Sequence, residues 1–364
     1  MHGLCVGLVE LGHKVTVFTT NVDGDSSLPA KYSENYCLDG VTVNYYRCGI
    51  GRRLYRSPDM AAALTNTISK FDVVHLHSVF LWPTFRAARL ACKSNVPYVV
   101  SPRGMLVPEL IRKRGKIRKS LWIAIVENKT LERAAMVHVT SSLEQERLEE
   151  FDFRLRKVAV VPNGVFIPEA CEEKEECHMS SATPIILYLG RINWKKGLDR
   201  LIDCIPHVAS NCRFVIAGNG SNGYKANLQS RATKIGVEDR IQYLGEVNDA
   251  NKWALLSQSA VLVLPSYQEN FGNVVLEAMA ASRPVVVTTD VGAAPIVENA
   301  GAGIVTTGDP IEIASSLDTL LLNPTLCKEM GHRGQGAISK DYEWKNVAGH
   351  MAELYRDIIA SGRP

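Results

Sequence analysis

The stretch from Val261 to Thr289 restricts the possible folds of this chain more than any other. It opens with Val261–Leu264, an unbroken apolar run of strand length that ends at Pro265. From Gly272 onward the apolar residues recur at helical spacing, and Val285–Thr289 has the composition of a second buried strand. The pattern predicts a strand–loop–helix–strand unit of a parallel sheet. Open sheets of this kind bind ligands beyond the carboxyl ends of their strands, so the loop before the helix is a predicted binding site.

The residues of this loop suit a sugar nucleotide. Backbone amides of Phe271, Gly272 and Asn273 would lie at the helix start, where N–H groups and the helix dipole attract an anion. Glu269 precedes these amides, and Glu277 follows it by eight residues, inside the helix. Carboxylates accept strong hydrogen bonds from hydroxyl groups. A phosphate cradle flanked by two carboxylates therefore predicts a nucleotide sugar, and an ordinary unit with two solvated glutamates is the alternative.

The complete string resembles the E-x7-E signature of glycosyltransferase family 4, whose members are retaining enzymes of the GT-B architecture. The resemblance implies an α/β fold with two Rossmann-like, doubly wound domains that face a cleft. It also implies that Glu269 contacts hydroxyls of the donor sugar and that Glu277 binds the ribose. The backbone amides at Phe271–Gly272 would hold the phosphates, and Asn270 and Asn273 are the other predicted donor-binding residues of this loop.

A second segment supports the same family. The apolar run Pro184–Gly190 predicts a strand, and the following residues from Arg191 to Gly197 resemble the family's G-R-x-x-x-x-K-G segment. The resemblance implies that Gly190 lies at the donor and that Arg191 and Lys196 reach its diphosphate. Two cations beside the leaving-group oxygens would stabilise the charge that develops there. A solvated loop with two unrelated cations is the alternative.

Four residues are predicted to be catalytic. Three are Arg191, Lys196 and Glu269, and the fourth is Arg103. Many family members have a histidine in a P-H-G context at this point, whereas this sequence resembles an S-P-R-G-M branch. The resemblance implies a permanently charged guanidinium at the cleft. A phosphate, an acidic sugar and an acceptor anion all remain open as its ligand. His75 and His77 end a predicted strand, Phe71–Leu76, where they either line the cleft or pack inside the domain.

Two short motifs point to other chemistries and are set aside. The glycines at 218, 220 and 223 form a literal G-x-G-x-x-G, which by itself indicates NAD. The acid that should end the next strand is absent, so the glycines are interpreted as a turn near the donor base. Asp23-Gly24-Asp25 has the D-x-D form of a metal motif, but it follows a strand as an ordinary turn does. No metal and no cofactor are expected.

Composition limits the class of protein. A chain of 364 residues predicts two domains, and no run of 18 uncharged apolar residues is present. The cysteines form no C-x-x-C pair and are odd in number, which indicates reduced thiols in a cytoplasmic protein. A net charge of +3 gives no indication of a nucleic-acid partner. Basic residues cluster from Arg103 to Lys119. Three interpretations are open: a surface that binds an anionic membrane, a solvated helix face, or a pocket for an anionic acceptor.

The start of the sequence departs from the family pattern. In the family, the first helix follows a strand and a glycine-rich loop, but here the helix near residues 3–12 comes first. The resemblance therefore predicts a first domain that lacks its N-terminal central strand, either because the true start lies upstream or because the chain is a fragment. A sheet without a central parallel strand loses hydrogen-bond partners on both sides of the gap.

The predicted function is transfer of a sugar, with retention and without a metal, from a nucleotide-diphosphate sugar. A UDP-sugar is the expected donor and a glycan or lipid-linked glycan the expected acceptor, in polysaccharide or cell-envelope biosynthesis. A GT-B nucleotide-sugar epimerase and a non-catalytic nucleotide-sugar-binding subunit are the alternatives. The predicted divisions are an acceptor-side domain at 1–167, a linker at 168–184, a donor domain at 185–341 and a helix at 342–364 that crosses back.

Overall fold

The computed structural model describes residues 1–24, 26–29, 35–49, 51–107, 122–168 and 183–361. The chain divides into two compact units, Met1–Pro162 with Trp344–Pro364, and Asn163–Glu343. Each unit has its own buried apolar core. The predicted linker falls almost wholly outside the described residues, and the four predicted divisions stay predictions.

The first unit is built from short strands and the helices between them. Its helices are α1 (His2–Glu10), α2 (Pro58–Thr67), α3 (Trp82–Lys93), α4 (Asn128–Arg133) and α5 (Ser142–Glu149). Its strands are β1 (Thr16–Thr20), β2 (Val22–Asp23), β3 (Ser26–Ser27), β4 (Tyr36–Leu38), β5 (Val41–Tyr46), β6 (Val74–His77), β7 (Tyr98–Ser101), β8 (Met136–Val139) and β9 (Val158–Val160). Strands β2 and β3 pair only as a small ribbon around the predicted turn, whose Asp25 lies outside the described residues.

Two separate sheets form in the first unit, where a doubly wound domain would have one. Strand β1 pairs in parallel with β5, which pairs in antiparallel with β4. Strands β6, β7, β8 and β9 form the other sheet, in that order and all parallel. Among the described residues no strand joins β1 to β6. The first unit thus has the interrupted sheet that the sequence predicted.

The second unit contains one six-stranded parallel sheet. Its strands are β10 (Ile185–Leu189), β11 (Arg213–Ala217), β12 (Ile241–Gly245), β13 (Val261–Leu264), β14 (Val285–Thr288) and β15 (Gly303–Thr306). Its helices are α6 (Leu198–Cys204), α7 (Asn222–Ile235), α8 (Asp249–Gln258), α9 (Asn273–Ala280), α10 (Ala294–Ala300), α11 (Pro310–Leu321) and α12 (Pro324–Ala337). The strand order is β12-β11-β10-β13-β14-β15. The direction of winding therefore reverses between β10 and β13, the point at which doubly wound sheets bind their ligands.

The last helix, α13 (Trp344–Ala360), belongs to the first unit, where it packs against α1. Two glycines of α1 allow this close approach. A Cβ atom on Gly3 would lie 2.2 Å from the indole of Trp344, and one on Gly7 would lie 2.6 Å from the Trp344 carbonyl oxygen. Within the described part of the chain, no helix has both the length and the apolar composition to cross a membrane.

Candidate active site

Two loops meet at the carboxyl ends of β10 and β13. The amides of Tyr267 and Gln268, after β13, donate to the carbonyl oxygen of Lys195, after β10, at 2.8 and 3.2 Å. Gly197 has a left-handed φ of 65°, and a Cβ atom there would lie 1.9 Å from the Pro265 carbonyl oxygen. Only glycine fits at this position, because any side chain would push the two loops apart. The glycine that ends the predicted G-R-x-x-x-x-K-G segment thus brings the loops together.

Lys196 and Glu269 form an ion pair between these two loops, from Nζ to Oε2. Their side chains are only 21% and 17% exposed. An ion pair that is largely removed from water is screened less than a surface pair. Glu269 is therefore a sequestered, paired carboxylate at the winding reversal and not a solvated surface residue.

The backbone around Glu269 is fixed from a third loop, the one after β14. The Glu269 amide donates to the Asp290 carbonyl oxygen at 3.0 Å, and the Glu269 carbonyl oxygen accepts from the Gly292 amide at 3.1 Å. Two residues later, the Phe271 carbonyl oxygen accepts from the Ala293 amide at 2.8 Å. The ring of Phe271 is buried in the core of the unit. The carboxylate thus stands on a backbone that is held on both sides.

Helix α9 begins directly after this loop without a side-chain cap. Its N-cap is Gly272, in the left-handed region at φ 93°, and this residue has no side chain that could cap the first turn. A Cβ atom on Gly272 would lie 3.0 Å from Cγ1 of Val291, so the space there is also limited. The side chain of Asn273 is turned to Asn163, whose Nδ2 donates to its Oδ1 at 2.9 Å. An uncapped helix start presents N–H groups that suit a phosphate.

Glu277 lies inside α9 and pairs with a lysine that the sequence did not single out. Lys252 of α8 places its Nζ 2.9 Å from Glu277 Oε1 and 3.1 Å from Asp249 Oδ1. Burial lowers the pKa of Lys252, but the nearby carboxylates, Glu277 first, outweigh burial and leave that pKa raised. Glu277, like Glu269, is a largely enclosed carboxylate beside a cation.

The glycine-rich string after β11 packs against the loop after β10. The Ile192 amide donates to the Asn219 carbonyl oxygen at 2.7 Å, and a Cβ atom on Gly220 would lie 2.2 Å from the Ile192 carbonyl oxygen. A Cβ atom on Gly218 would similarly lie 1.9 Å from the Gly190 carbonyl oxygen. These glycines serve a close backbone contact, which is consistent with their interpretation as a turn.

In the first unit, Arg103 follows β7 with a left-handed φ of 56°. Its Nε and Nη2 atoms lie 3.3 Å from Nδ1 of His77. Burial lowers the pKa of Arg103 and holds the pKa of His77 well below its ordinary value, with the Arg103 charge acting in the same direction on His77. A neutral imidazole therefore accepts from the guanidinium, since an imidazolium would repel it.

A chain of hydrogen bonds extends from the neighbouring His75. Its Nδ1 is 2.6 Å from the Tyr355 hydroxyl, its Nε2 is 2.8 Å from Ser101 Oγ, and that oxygen is 2.7 Å from Nδ1 of His138. His138 Nε2 lies 2.9 Å from the Val161 carbonyl oxygen, which can only accept. With neutral imidazoles, this carbonyl oxygen fixes the direction of every hydrogen bond in the chain. His138 Nε2–H donates to it, and the Ser101 hydroxyl donates to His138 Nδ1. His75 Nε2–H in turn donates to Ser101 Oγ, and the Tyr355 hydroxyl donates to His75 Nδ1. Both imidazoles are neutral in this arrangement.

Comparisons with known proteins identify the family of the chain. The family model described as "Glycosyl transferases group 1" matches residues 172–337, and the "Glycosyl transferase 4-like domain" matches residues 1–164. Together they span nearly the whole chain. The chain belongs to the group 1 glycosyltransferases of family 4. The resemblance of the sequence to this family is thereby confirmed.

Individual relatives of this glycosyltransferase extend the picture. An uncharacterized glycosyltransferase of Methanocaldococcus jannaschii is 29% identical over 97% of this chain and 92% of its own. The phosphatidyl-myo-inositol mannosyltransferase of Mycobacterium leprae is 30% identical over 56% of this chain and 54% of its own. The crystal structure of Anabaena HepE in complex with UDP superimposes with a TM-score of 0.75 at 19% identity, covering 98% of this chain and 96% of that one. The fold of the glycosyltransferase is therefore GT-B, as predicted.

The structure joins some of the predicted site residues by contact. Lys196 meets Glu269, and Gly272 lies beside the same glutamate, since a Cβ atom there would be 3.4 Å from Glu269 Cγ. Arg191 is exposed, and within the described residues its side chain has no hydrogen bond or ion pair. Lys252 and the chain from Tyr355 to His138 are additions from the structure. Their sequence signal was weak: no motif of the sequence marks Lys252, and His75 appeared only as one of two strand-end histidines.

Proposed function

We propose that this glycosyltransferase moves a sugar from a UDP-sugar to a glycan or lipid-linked glycan acceptor, with retention of the anomeric configuration and without a metal ion. The observation that carries the proposal is the enclosed Lys196–Glu269 pair at the winding reversal of the second unit. It lies between the loops after β10 and β13, just before the uncapped start of α9. A cation, a carboxylate and free helix amides are the groups that a diphosphate sugar requires.

The diphosphate, the sugar and the ribose of a UDP-sugar each have a proposed counterpart in the second unit. The start of α9 would hold the diphosphate, and Lys196 and Arg191 would stabilise the negative charge as the bond from sugar to phosphate breaks. Glu269 would accept hydrogen bonds from hydroxyls of the sugar, which keeps the sugar oriented while the acceptor attacks. Glu277 would bind the ribose hydroxyls in the same way, with Lys252 holding its carboxylate in place. Gly190 and Asn270–Asn273 complete the proposed donor site.

The relatives support the donor and the acceptor class. HepE of Anabaena was crystallised with UDP, and the M. leprae relative is a mannosyltransferase of phosphatidyl-myo-inositol. The first points to a UDP-sugar and the second to a lipid-linked acceptor. Peripheral attachment to the inner face of the plasma membrane through 103–119 is part of the proposal, although residues 108–121 lie outside the described ones. Arg103 is proposed as a catalytic residue that faces an anionic group of a substrate.

The reaction itself is tested by product analysis. We expect release of UDP from a UDP-hexose to require an acceptor, and we expect an α-linked donor to yield an α-linked product by proton NMR. A β-linked product would overturn the assignment of retention. Release of UDP or a change of the sugar at equal rates with and without acceptor would favour hydrolysis or epimerisation and overturn transfer.

Metal independence is tested by chelation. Among the described residues, no three histidine, cysteine, aspartate or glutamate side chains are grouped to hold a metal ion. The charge of the leaving diphosphate is assigned instead to Lys196, Arg191 and the amides of α9. We therefore expect full transfer activity after dialysis against EDTA, measured with the same UDP-release assay. Loss of activity that added Mn²⁺ restores would contradict this assignment.

Glu277→Ala is expected to act on binding more than on turnover. It should weaken UDP binding by about 1.5–3 kcal/mol, the range for a hydrogen bond to a charged group. Calorimetric titration with free UDP measures the change. Glu298→Ala is the matched control, because Glu298 is an exposed glutamate on the next helix. Equal UDP affinity in both variants would remove Glu277 from the ribose site.

A further inference from the structure

The turn after β7 holds Arg103 in a backbone conformation that few residues other than glycine adopt. The amide of Met105 donates to the Pro102 carbonyl oxygen at 3.3 Å, so Arg103 and Gly104 are the two central residues of the turn. Their φ angles are 56° and 69°, both in the left-handed region. Turns with positive φ at both central positions usually contain glycine, asparagine or aspartate there. An arginine is unfavourable at such a position and needs neighbouring groups that hold the turn.

The carboxylate of Glu144, in the first turn of α5, is such a group. Strands β7 and β8 are parallel neighbours, so the turn after β7 and the start of α5, after β8, lie at the same edge of the sheet. Oε1 of Glu144 accepts from the Gly104 amide at 2.5 Å, 40 residues earlier in the chain. Glu144 is only 4% exposed. A hydrogen bond to a carboxylate is stronger than one between neutral groups, so this contact holds the central amide of the turn.

Glu144 is itself fixed by the residues at the start of its helix. Its Oε2 accepts from the amide and from the hydroxyl of Thr140, both at 2.8 Å. Its amide donates at 3.1 Å to Oγ of Ser141, the N-cap of α5. A glutamate that only caps its helix contacts residues directly before that helix, whereas the bond to Gly104 serves a distant segment. Glu144 therefore connects a fixed helix start to the turn that contains Arg103.

The same carboxylate acts on the charge of Arg103. Burial lowers the pKa of Arg103, and the charge of Glu144 is the largest influence that raises it. A cation that is partly removed from water is stabilised by an anion close to it. The guanidinium is also oriented by His77, whose Nδ1 lies 3.3 Å from Nε and Nη2 of Arg103. Glu144 therefore supports both the backbone and the charge of Arg103.

We propose that Glu144 is a positioning residue for Arg103. It holds the left-handed turn in place, which directs the guanidinium toward the anionic group of the substrate, and it stabilises the charge of the guanidinium. Because its carboxylate is buried, Glu144 acts through Arg103 and not by contact with the substrate. The proposal rests on the catalytic role proposed above for Arg103.

Glu144→Gln, Arg103→Ala and the double variant test this proposal. Glutamine has nearly the shape of glutamate but only one acceptor oxygen, so it cannot accept from both Gly104 and Thr140. Glu144→Gln should lower kcat/KM about 10–100-fold, the scale for a displaced catalytic group, for UDP release from the UDP-hexose that the wild type turns over fastest. The double variant should lie within about twofold of Arg103→Ala, because Glu144 acts only through Arg103. Hydrogen exchange of residues 102–105 should be faster in Glu144→Gln than in the wild type, and exchange of β10 and β13 should be unchanged.

Glu127→Gln is the matched control. Glu127 is a buried glutamate of the same unit, 2% exposed, and it accepts from the Phe80 amide at 2.7 Å and from the Trp122 indole at 2.8 Å. Its effect on kcat/KM should multiply with that of Arg103→Ala, as expected for residues that act independently. Thr140→Val removes one donor to Glu144 and keeps the carboxylate. It should show the same overlap with Arg103→Ala at smaller size, which preserves the test if Glu144→Gln folds poorly.

Two kinds of failure are distinguishable. If Arg103→Ala is impaired, then near-wild-type turnover of Glu144→Gln, a multiplicative double variant, or unchanged exchange of residues 102–105 would overturn the positioning role alone. Near-wild-type turnover of Arg103→Ala would instead remove Arg103 from the catalytic site, and the positioning role of Glu144 with it.

Discussion

Glu269→Ala and Lys196→Ala should each reduce the rate of sugar transfer about 10²–10³-fold, the scale for loss of one preorganised electrostatic contact. The reason is that each side chain is largely enclosed and each is the partner of the other. Removal of either leaves a charged group without its counter-ion next to the diphosphate and the sugar. Steady-state assays of UDP release give kcat and KM for each variant.

The chain offers matched controls for this result. Lys195→Ala changes the neighbouring lysine, whose ammonium lies over the ring of Trp194 and not at the pair. It should retain near-wild-type turnover. The double variant should lose little more than either single variant, because the two side chains act as one unit. Near-wild-type turnover in both single variants, with melting temperatures unchanged, would remove the pair from the catalytic site.

The sequence was most informative where one short segment decides the structure. Strand β13 was predicted from the apolar run Val261–Leu264, and the structure has the same bounds. An unbroken apolar run is typical of a strand that is buried on both faces of its sheet. Helix α9 begins immediately after Gly272, as the spacing predicted. In contrast, Phe71–Leu76 was predicted as a strand, and the observed β6 is Val74–His77. Pairing with β7 selects those residues, and an apolar run carries no information about its partner.

Contacts between distant segments could not be predicted. Lys252 and Glu277 lie on two different helices, and no local pattern relates them. The hydrogen-bond chain from Tyr355 to His138 likewise joins residues of β6, β7, β8 and the last helix. Of the two alternatives for His75, packing inside the domain is the one that the structure supports. Which imidazole nitrogen donates became evident only when the Val161 carbonyl oxygen was found at the end of the chain.

Mild acid should destabilise the first unit through these histidines. Burial lowers the pKa of His138 to about 3 and holds the pKa values of His75 and His77 well below 6.5. Their unfolded pKa is about 6.5, so the unfolded chain binds more protons than the folded chain at any pH between the folded and unfolded values. The contribution of the three histidines to the free energy of unfolding is therefore complete above about pH 6.5, and it is lost progressively as the pH falls below that value. Arg103 remains charged throughout and opposes protonation of all three.

The size of the effect follows from the same linkage. Each proton taken up on unfolding lowers the free energy of unfolding by about 1.4 kcal/mol per pH unit. From pH 7 to pH 5, His138 alone accounts for a loss of about 2 kcal/mol, because its folded pKa of about 3 lies below this range and its unfolded pKa of about 6.5 lies within it. His75 and His77 act in the same direction, because burial also holds their pKa values well below the ordinary value. A domain stability of about 5–15 kcal/mol makes such a loss easy to detect.

Thermal unfolding of the full chain from pH 7 to pH 5 measures this loss, with hydrogen exchange, corrected for its intrinsic pH dependence, assigning it to the first unit. His138→Gln removes one titrating group and should unfold at lower temperature at pH 7 but with a shallower dependence on pH. His332→Asn is the control, because His332 is exposed on α12 of the second unit, and it should follow the wild-type curve. Equal pH slopes for His138→Gln and the wild type would show that His138 is not held neutral in the folded chain. A first unit equally stable at pH 7 and pH 5 would exclude all three imidazoles, since their neutral state is what links folding to pH.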